Sequence, residues 1–268
     1  MVLKSIVKTS MLILFSIFFS VSNAAEKLTV VFGGKLAPWV LSDTNEGIII
    51  DLLKATMKPL GYEIQPLYLP YARRINAYKT DEVDVVSDMN LNTINEHGLK
   101  GYLSDTAYAY ENFAFSLHKN NFEFNELKDL KNHSLLSWQD AAIHLGEAYA
   151  NMANNHSSYS ETFDQFVQVK MLFLEKFDVV QMDAHIFDYY RIQIINNRKI
   201  NAAQQVDRFG LFGASPNGFL FKSEALRNKF NIQLRQLKAT GEYQKIFDRY
   251  LTNDNTRAEQ PNKVEALH

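Results

Sequence analysis

Residues 28–34 read LTVVFGG, 47–61 read GIIIDLLKATMKPLG, 62–69 read YEIQPLYL and 83–86 read VDVV; the order of these four stretches decides the fold. Leu28 to Phe32 is a short apolar run rich in β-branched residues, closed by Gly33-Gly34, which predicts a strand followed by a loop. After Gly47, the residues Leu52, Leu53, Met57 and Leu60 recur at helical spacing and end at Pro59-Leu60-Gly61, a stop signal. Asp51 stands where it could cap that helix. Tyr62 to Leu69 alternates as a strand does, Ala72 to Tyr78 suits a helix, and Val83 to Val86 suits a short buried strand. Strand, helix, strand, helix, strand is the order of a parallel sheet covered by helices.

The middle of the chain repeats the theme. Leu127 to Leu130 precedes a predicted strand at Ser134 to Trp138, and Ala141 to Met152 and Phe163 to Phe173 have helical character. Phe177 to Met182 reads as a buried strand ending at Asp183. Gly210 to Phe221 is apolar and contains glycine, and Ala225 to Tyr250 is a long amphipathic stretch broken at Thr240-Gly241. From Asn253 the chain is polar, without an apolar period, and 254–268 is expected to be a frayed tail.

The N-terminus carries its own signal. Lys4 and Lys8 precede an apolar run from Met11 to Val21, and Val21-Ser22-Asn23-Ala24-Ala25 offers small residues for a cut after Ala24. That is the three-part pattern of a cleaved secretory signal over residues 1–24. The run is shorter than the ~20 residues a membrane span needs. With no cysteine in the chain, neither a disulfide framework nor a lipidated cysteine is possible. A free exported protein of this kind is expected in a periplasm.

Composition excludes other classes. At 46% hydrophobic and 22% charged residues the chain is ordinary and globular, and its net charge of −2 argues against a nucleic-acid partner. The sequence has no His-Glu-x-x-His, no phosphate-cradling loop and no Gly-x-Ser-x-Gly elbow, so no cofactor, metal or catalytic residue is expected. His185 with Asp188 is a spacing that chance accounts for.

Several segments together resemble the extracellular solute-binding proteins of family 3, receptors for polar amino acid uptake. Ala37-Pro38-Trp39 and Gly47-Ile48-Ile49-Ile50-Asp51-Leu52-Leu53-Lys54 are similar to the family's opening. Val83-Asp84-Val85-Val86, Leu103-Ser104-Asp105, Asp129-Leu130-Lys131 and Phe177 to Asp183 follow in the family's order. Leu226 to Asn231 and Gly241 to Ile246 match most closely. The resemblance implies a type II periplasmic-binding fold, two α/β lobes joined by two crossover strands with the solute between them. Residues 26–115 and 214–253 would form one lobe and 116–213 the other, with hinges near Phe115-Ser116-Leu117 and Phe212-Gly213-Ala214.

The resemblance also implies a set of solute-binding residues. Trp39 and Tyr71 stand where the family presents rings, Trp138 where the second lobe contacts solute, and Asp183 where an acid receives an amine. Asp183 also suits a helix N-cap. One departure is marked: the stretch Met89-Asn90-Leu91-Asn92-Thr93-Ile94-Asn95-Glu96-His97-Gly98 lacks the arginine that grips a solute carboxylate. His97 falls nearest the vacant position, with Asn90 in the same stretch. Asp88 replaces a small residue and adds negative charge, while Arg73 could supply an anion contact from another wall. An amino-acid-like or amine-bearing solute is the expectation, delivered by a monomer to a membrane ABC permease. The alternatives are a sensor partner in the membrane or, on the same fold, a cyclic-acid dehydratase.

Overall fold

A computed structural model describes residues 25–252. The expected signal segment and the expected tail lie outside the described residues. The first half runs β1 (Glu26–Phe32), α1 (Ile48–Met57), β2 (Tyr62–Tyr68), α2 (Tyr71–Lys79), β3 (Val85–Met89), α3 (Leu91–His97) and β4 (Tyr102–Leu103). A long strand, β5 (Tyr108–Leu117), leads out of it. The second half runs β6 (Leu135–Trp138), α4 (Ala141–His144), α5 (Glu147–Asn154), β7 (Tyr159–Thr162), α6 (Gln165–Phe173), β8 (Val179–Asp183), α7 (Ala184–Asn197) and β9 (Val206–Phe209). The chain returns along β10 (Ala214–Phe221) and ends with α8 (Glu224–Ala239) and α9 (Glu242–Leu251).

The two halves are built alike. In the first, β1 pairs in parallel with β2 and β3, and β10 adds antiparallel to β3 and carries β4. In the second, β6 pairs in parallel with β7 and β8, and β5 adds antiparallel to β8 and carries β9. Each lobe is thus completed by a strand that enters from the other. The two entering strands pair with each other between the lobes, Tyr108 opposite Asn217 and Glu111 opposite Ala214. One core cluster spans both lobes, from Val30, Trp39 and Ile49 to Phe115, Val180 and Phe187.

Four expectations need correction. The first helix begins at Ile48 with Gly47 as its cap, so Asp51 lies inside the first turn. There it accepts hydrogen bonds from Tyr250 Oη at 2.6 Å and Arg249 Nη1 at 2.8 Å, tying α9 to α1. The strand expected at Val83 runs from Val85, because Asp84 turns its carboxylate to the Thr29 N–H at 2.8 Å and precedes the ladder. The helix expected over 141–152 is two, broken at Gly146, whose φ of 91° is outside any right-handed helix. On β5, Asn112 to Ser116 already pair with β8, so the chain changes sheet at Glu111–Asn112 and not at Phe115. On β10 the change falls at Asn217–Gly218, beyond the Phe212–Ala214 expected. Pairing between distant segments, which no local pattern reveals, sets both positions.

Gly47 holds the entry to α1. Its φ of 122° and ψ of 158° belong to a region open essentially to glycine, and an added Cβ would lie 2.6 Å from the Trp39 carbonyl oxygen. Its N–H donates to Tyr250 Oη at 2.9 Å. Gly47→Ala is expected to lower unfolding free energy by at least about 1–3 kcal/mol, the usual cost of such strain, read from urea denaturation midpoints.

Candidate functional site

In open parallel sheets, ligands gather beyond the carboxyl ends of the strands. In this protein those ends are Gly33 after β1 and Asp88 in β3 on one lobe, and Trp138 and Asp183, the last residues of β6 and β8, on the other. Asp183 is 5% exposed, and its carboxylate accepts four hydrogen bonds. Its Oδ1 accepts from the backbone N–H groups of His185 and Ile186 at 3.0 and 3.1 Å, capping α7. The same oxygen accepts from Trp39 Nε1 at 2.9 Å, and Oδ2 accepts from the Glu111 N–H at 2.8 Å. Helix, crossover strand and opposite lobe therefore meet on one carboxylate, whose charge the α7 N-terminus favours. Gln181, on the same strand, is buried and donates to Asn112 Oδ1 at 2.9 Å.

Trp39 is fully buried. Its indole packs against Tyr110 and His185, with centroids at 4.9 Å in both cases, and against Tyr108 at 5.6 Å and Phe247 at 6.0 Å. Its one polar atom reaches Asp183, as a buried indole requires.

Asp88 is placed differently from the expectation of a free negative charge. Its carboxylate forms an ion pair with Nη1 of Arg74, which lies on α2 and is 6% exposed. Tyr108 Oη and Tyr110 Oη both donate to Asp88 Oδ1 at 2.8 Å. Tyr108 Oη also accepts from the Asp88 N–H at 2.9 Å. The backbone of Asp88 is left-handed, φ 57°, within a strand. Such geometry in a residue other than glycine costs about 1–3 kcal/mol and persists where its surroundings hold it. Burial, then the Asp88 charge, raises the hydroxyls of Tyr108 and Tyr110 well above the ordinary phenol range. Both tyrosines therefore stay neutral donors. Burial alone would lower the Arg74 pKa, but the charge and hydrogen bond of Asp88 outweigh it and leave it raised. Arg74 and Asp88 together carry no net charge.

Around this pair the other expected residues divide. Tyr71, 46% exposed, lies with its ring 5.5 Å from the Arg74 guanidinium carbon, and its hydroxyl is 2.9 Å from His97 Nε2. Asn90 caps α3 by accepting from the Thr93 N–H at 3.0 Å and donates to Asn217 Oδ1 on β10 at 3.1 Å. Tyr71, Asp88, Asn90 and His97 thus share one wall. Trp138 is half-buried on the opposite lobe, stacked on His144 at 5.6 Å. Arg73 on α2 is exposed, and its neighbour Arg74 is buried. Sequence reading missed Arg74, Tyr108 and Tyr110. A hollow of about 290 Å³, lined among others by Tyr108, Glu111, His185, Lys238 and Tyr243, lies against the C-terminal helices and holds none of the expected residues.

The model of the bacterial extracellular solute-binding proteins, family 3, matches residues 28–253. The chain belongs to that family. No curated protein matches it. Solved structures with the same two-lobed fold include an ancestral cationic amino acid solute-binding protein, 18% identical, with a TM-score of 0.65 over 86% of this chain and 97% of that one. A GluR0 ligand-binding core in complex with L-glutamate is 17% identical, with a TM-score of 0.63 over 85% of this chain and all of that one. A histidine kinase sensor domain with similarity to periplasmic binding proteins is 17% identical, with a TM-score of 0.59 over 85% and 97%. In this solute-binding protein, Trp39 and Asp183 join the two lobes, and Arg74 pairs with Asp88 at the end of β3.

Trp39→Phe keeps most of the ring packing and removes one donor from the buried Asp183 carboxylate. It is expected to destabilise the protein by about 1.5–3 kcal/mol, the worth of a hydrogen bond to a charged group. Tyr71→Phe, at an exposed position, should stay within about 0.5 kcal/mol of wild type. Chemical denaturation of both variants checks the contrast.

Proposed function

We propose that this protein captures a small polar solute, amino-acid-like or amine-bearing, between its lobes in the periplasm and delivers it to a membrane ABC permease without converting it. The observation that carries the reading is the family match across residues 28–253, on a fold in which strand ends of two lobes face each other across paired crossover strands. Closure about such strands shuts a solute away from water. The two best-placed acids, Asp88 and Asp183, are occupied by protein donors, which argues against a general acid or base at these positions. Tyr71, Asn90, His97 and the edge of the Arg74–Asp88 pair on the first lobe, with Trp138 on the second, are the proposed solute contacts.

A screen of polar metabolites by differential scanning fluorimetry tests this reading. At about 100-fold excess over its dissociation constant the right solute adds roughly 2.7 kcal/mol. For a chain of this size that raises Tm by about 5–10 °C. NMR of the same mixture should show the solute unchanged over hours; steady product formation would overturn the binding reading in favour of a dehydratase. Mass spectrometry of solute released on denaturing freshly purified protein identifies it directly.

The likeness to a histidine kinase sensor domain supports a second reading, a receptor that reports to a membrane kinase. Uptake of the identified solute, lost on deletion of the gene, decides for the permease. Export follows from the N-terminal pattern: N-terminal sequencing of the periplasmic protein should begin at Ala25, and an intact Met1 in the membrane fraction would overturn it.

A further inference from the structure

Arg74 is a buried guanidinium at the wall between the lobes, and the group that neutralises it belongs to the protein. Its Nη1 engages Asp88 and, at 3.4 Å, both the carbonyl and the hydroxyl oxygen of Ser87, while its buried Nε has no hydrogen-bond partner. Asp88 reaches it from a left-handed backbone position, steadied by two neutral tyrosine hydroxyls. Gly33, after β1, leaves room beside the pair: a Cβ built there would lie 3.5 Å from Arg74 Nη1 and 3.6 Å from Asp88 Oδ2. The Asp88 side chain is 17% exposed, so water reaches the edge of the pair.

We infer that Asp88 is a tethered anion that occupies the carboxylate subsite of Arg74 and so excludes solutes that would present a carboxylate there. The inference deepens the binding reading and rests on it in one respect, that this wall faces the solute. The Asp88 carboxylate takes the Nη1 edge of Arg74 that a solute carboxylate would need. A guanidinium already paired offers a second anion little, and Asp88 repels it. Asp88 is then the residue that sets solute class: the end of the solute lying on this wall is neutral or carries an amine.

Removing the tether should open the subsite. Asp88→Asn and Asp88→Ser each leave Arg74 buried without its counter-charge, and an added carboxylate should replace it. The probes are sodium acetate and L-glutamate, compared with sodium chloride at equal ionic strength. The expected result is a saturable rise in Tm with acetate for both variants, and an apparent Kd for acetate at least tenfold lower than for wild type. The double variant Arg74→Gln/Asp88→Asn carries neither charge and should lose that rescue. If a single variant folds poorly, its refolding yield with acetate, against chloride, is the readout, and rescue again supports the inference. Rescue no greater than with chloride would overturn it, as would a wild-type protein that binds L-glutamate through Arg74, seen as loss of that binding in Arg74→Gln. A protein that binds no metabolite at all, while its Asp88 variants are rescued by acetate, would overturn the binding function and leave the tether standing.

Discussion

One carboxylate takes donors from both lobes and from a strand between them. Asp183 ends β8, caps α7, accepts the N–H of Glu111 on the crossover strand and accepts the indole N–H of Trp39 from the other lobe. Its charge is buried, so each donor offsets part of the desolvation that burial imposes. Removing any one leaves the others serving an under-satisfied anion. The position of the second lobe against the first depends on that sharing, because Trp39 is itself locked by four aromatic neighbours.

From Trp39 the connection continues to the other acid. The indole packs on Tyr110, Tyr110 donates to Asp88, and Asp88 pairs with Arg74 beneath the ring of Tyr71. The carboxylates of Asp88 and Asp183 thus lie at opposite ends of one chain of contacts, and neither is left as a bare charge. The sequence offers two acids and several rings and leads to the expectation of an electronegative cage. The folded chain has an ion pair of zero net charge, a capped helix and a tryptophan hidden in the core. A count of charged residues fails here because each acid has a partner that is distant in sequence.

The fold itself was legible to the extent that it is local. Apolar periodicity located β1, α1, β2, α2, β6, α6, α8 and α9 to within a few residues, and the order of segments pointed to the family. The short strands β7 and β9 were not legible: YSET and VDRF carry little apolar signal and exist because β6 and β5 offer them edges. The cap role of Asp183 was legible, but its bond to Trp39 spans 144 residues. Arg74 could have been found. Ile75, Ala77 and Tyr78 mark the buried stripe of α2. At roughly 100° per residue, Arg74 falls about 40° from Tyr78 and Arg73 roughly 140° away. Periodicity selects Arg74; proximity to Tyr71 in the sequence does not distinguish the two.

The exchange of strands between lobes also orders events in time. The sheet of the second lobe is drawn from Asn112 to Phe209, a single uninterrupted stretch. The sheet of the first lobe needs β10, which begins at Ala214, and its helical cover includes α8 and α9. In a chain that emerges N-terminus first, residues made early must therefore wait for residues made last. The lobe that begins the chain is the lobe that finishes folding, and its long-range pairing is the slow kind. Until β10 arrives, β3 presents an open edge, and an open edge is where a chain in transit pairs with the wrong neighbour or is held by a chaperone.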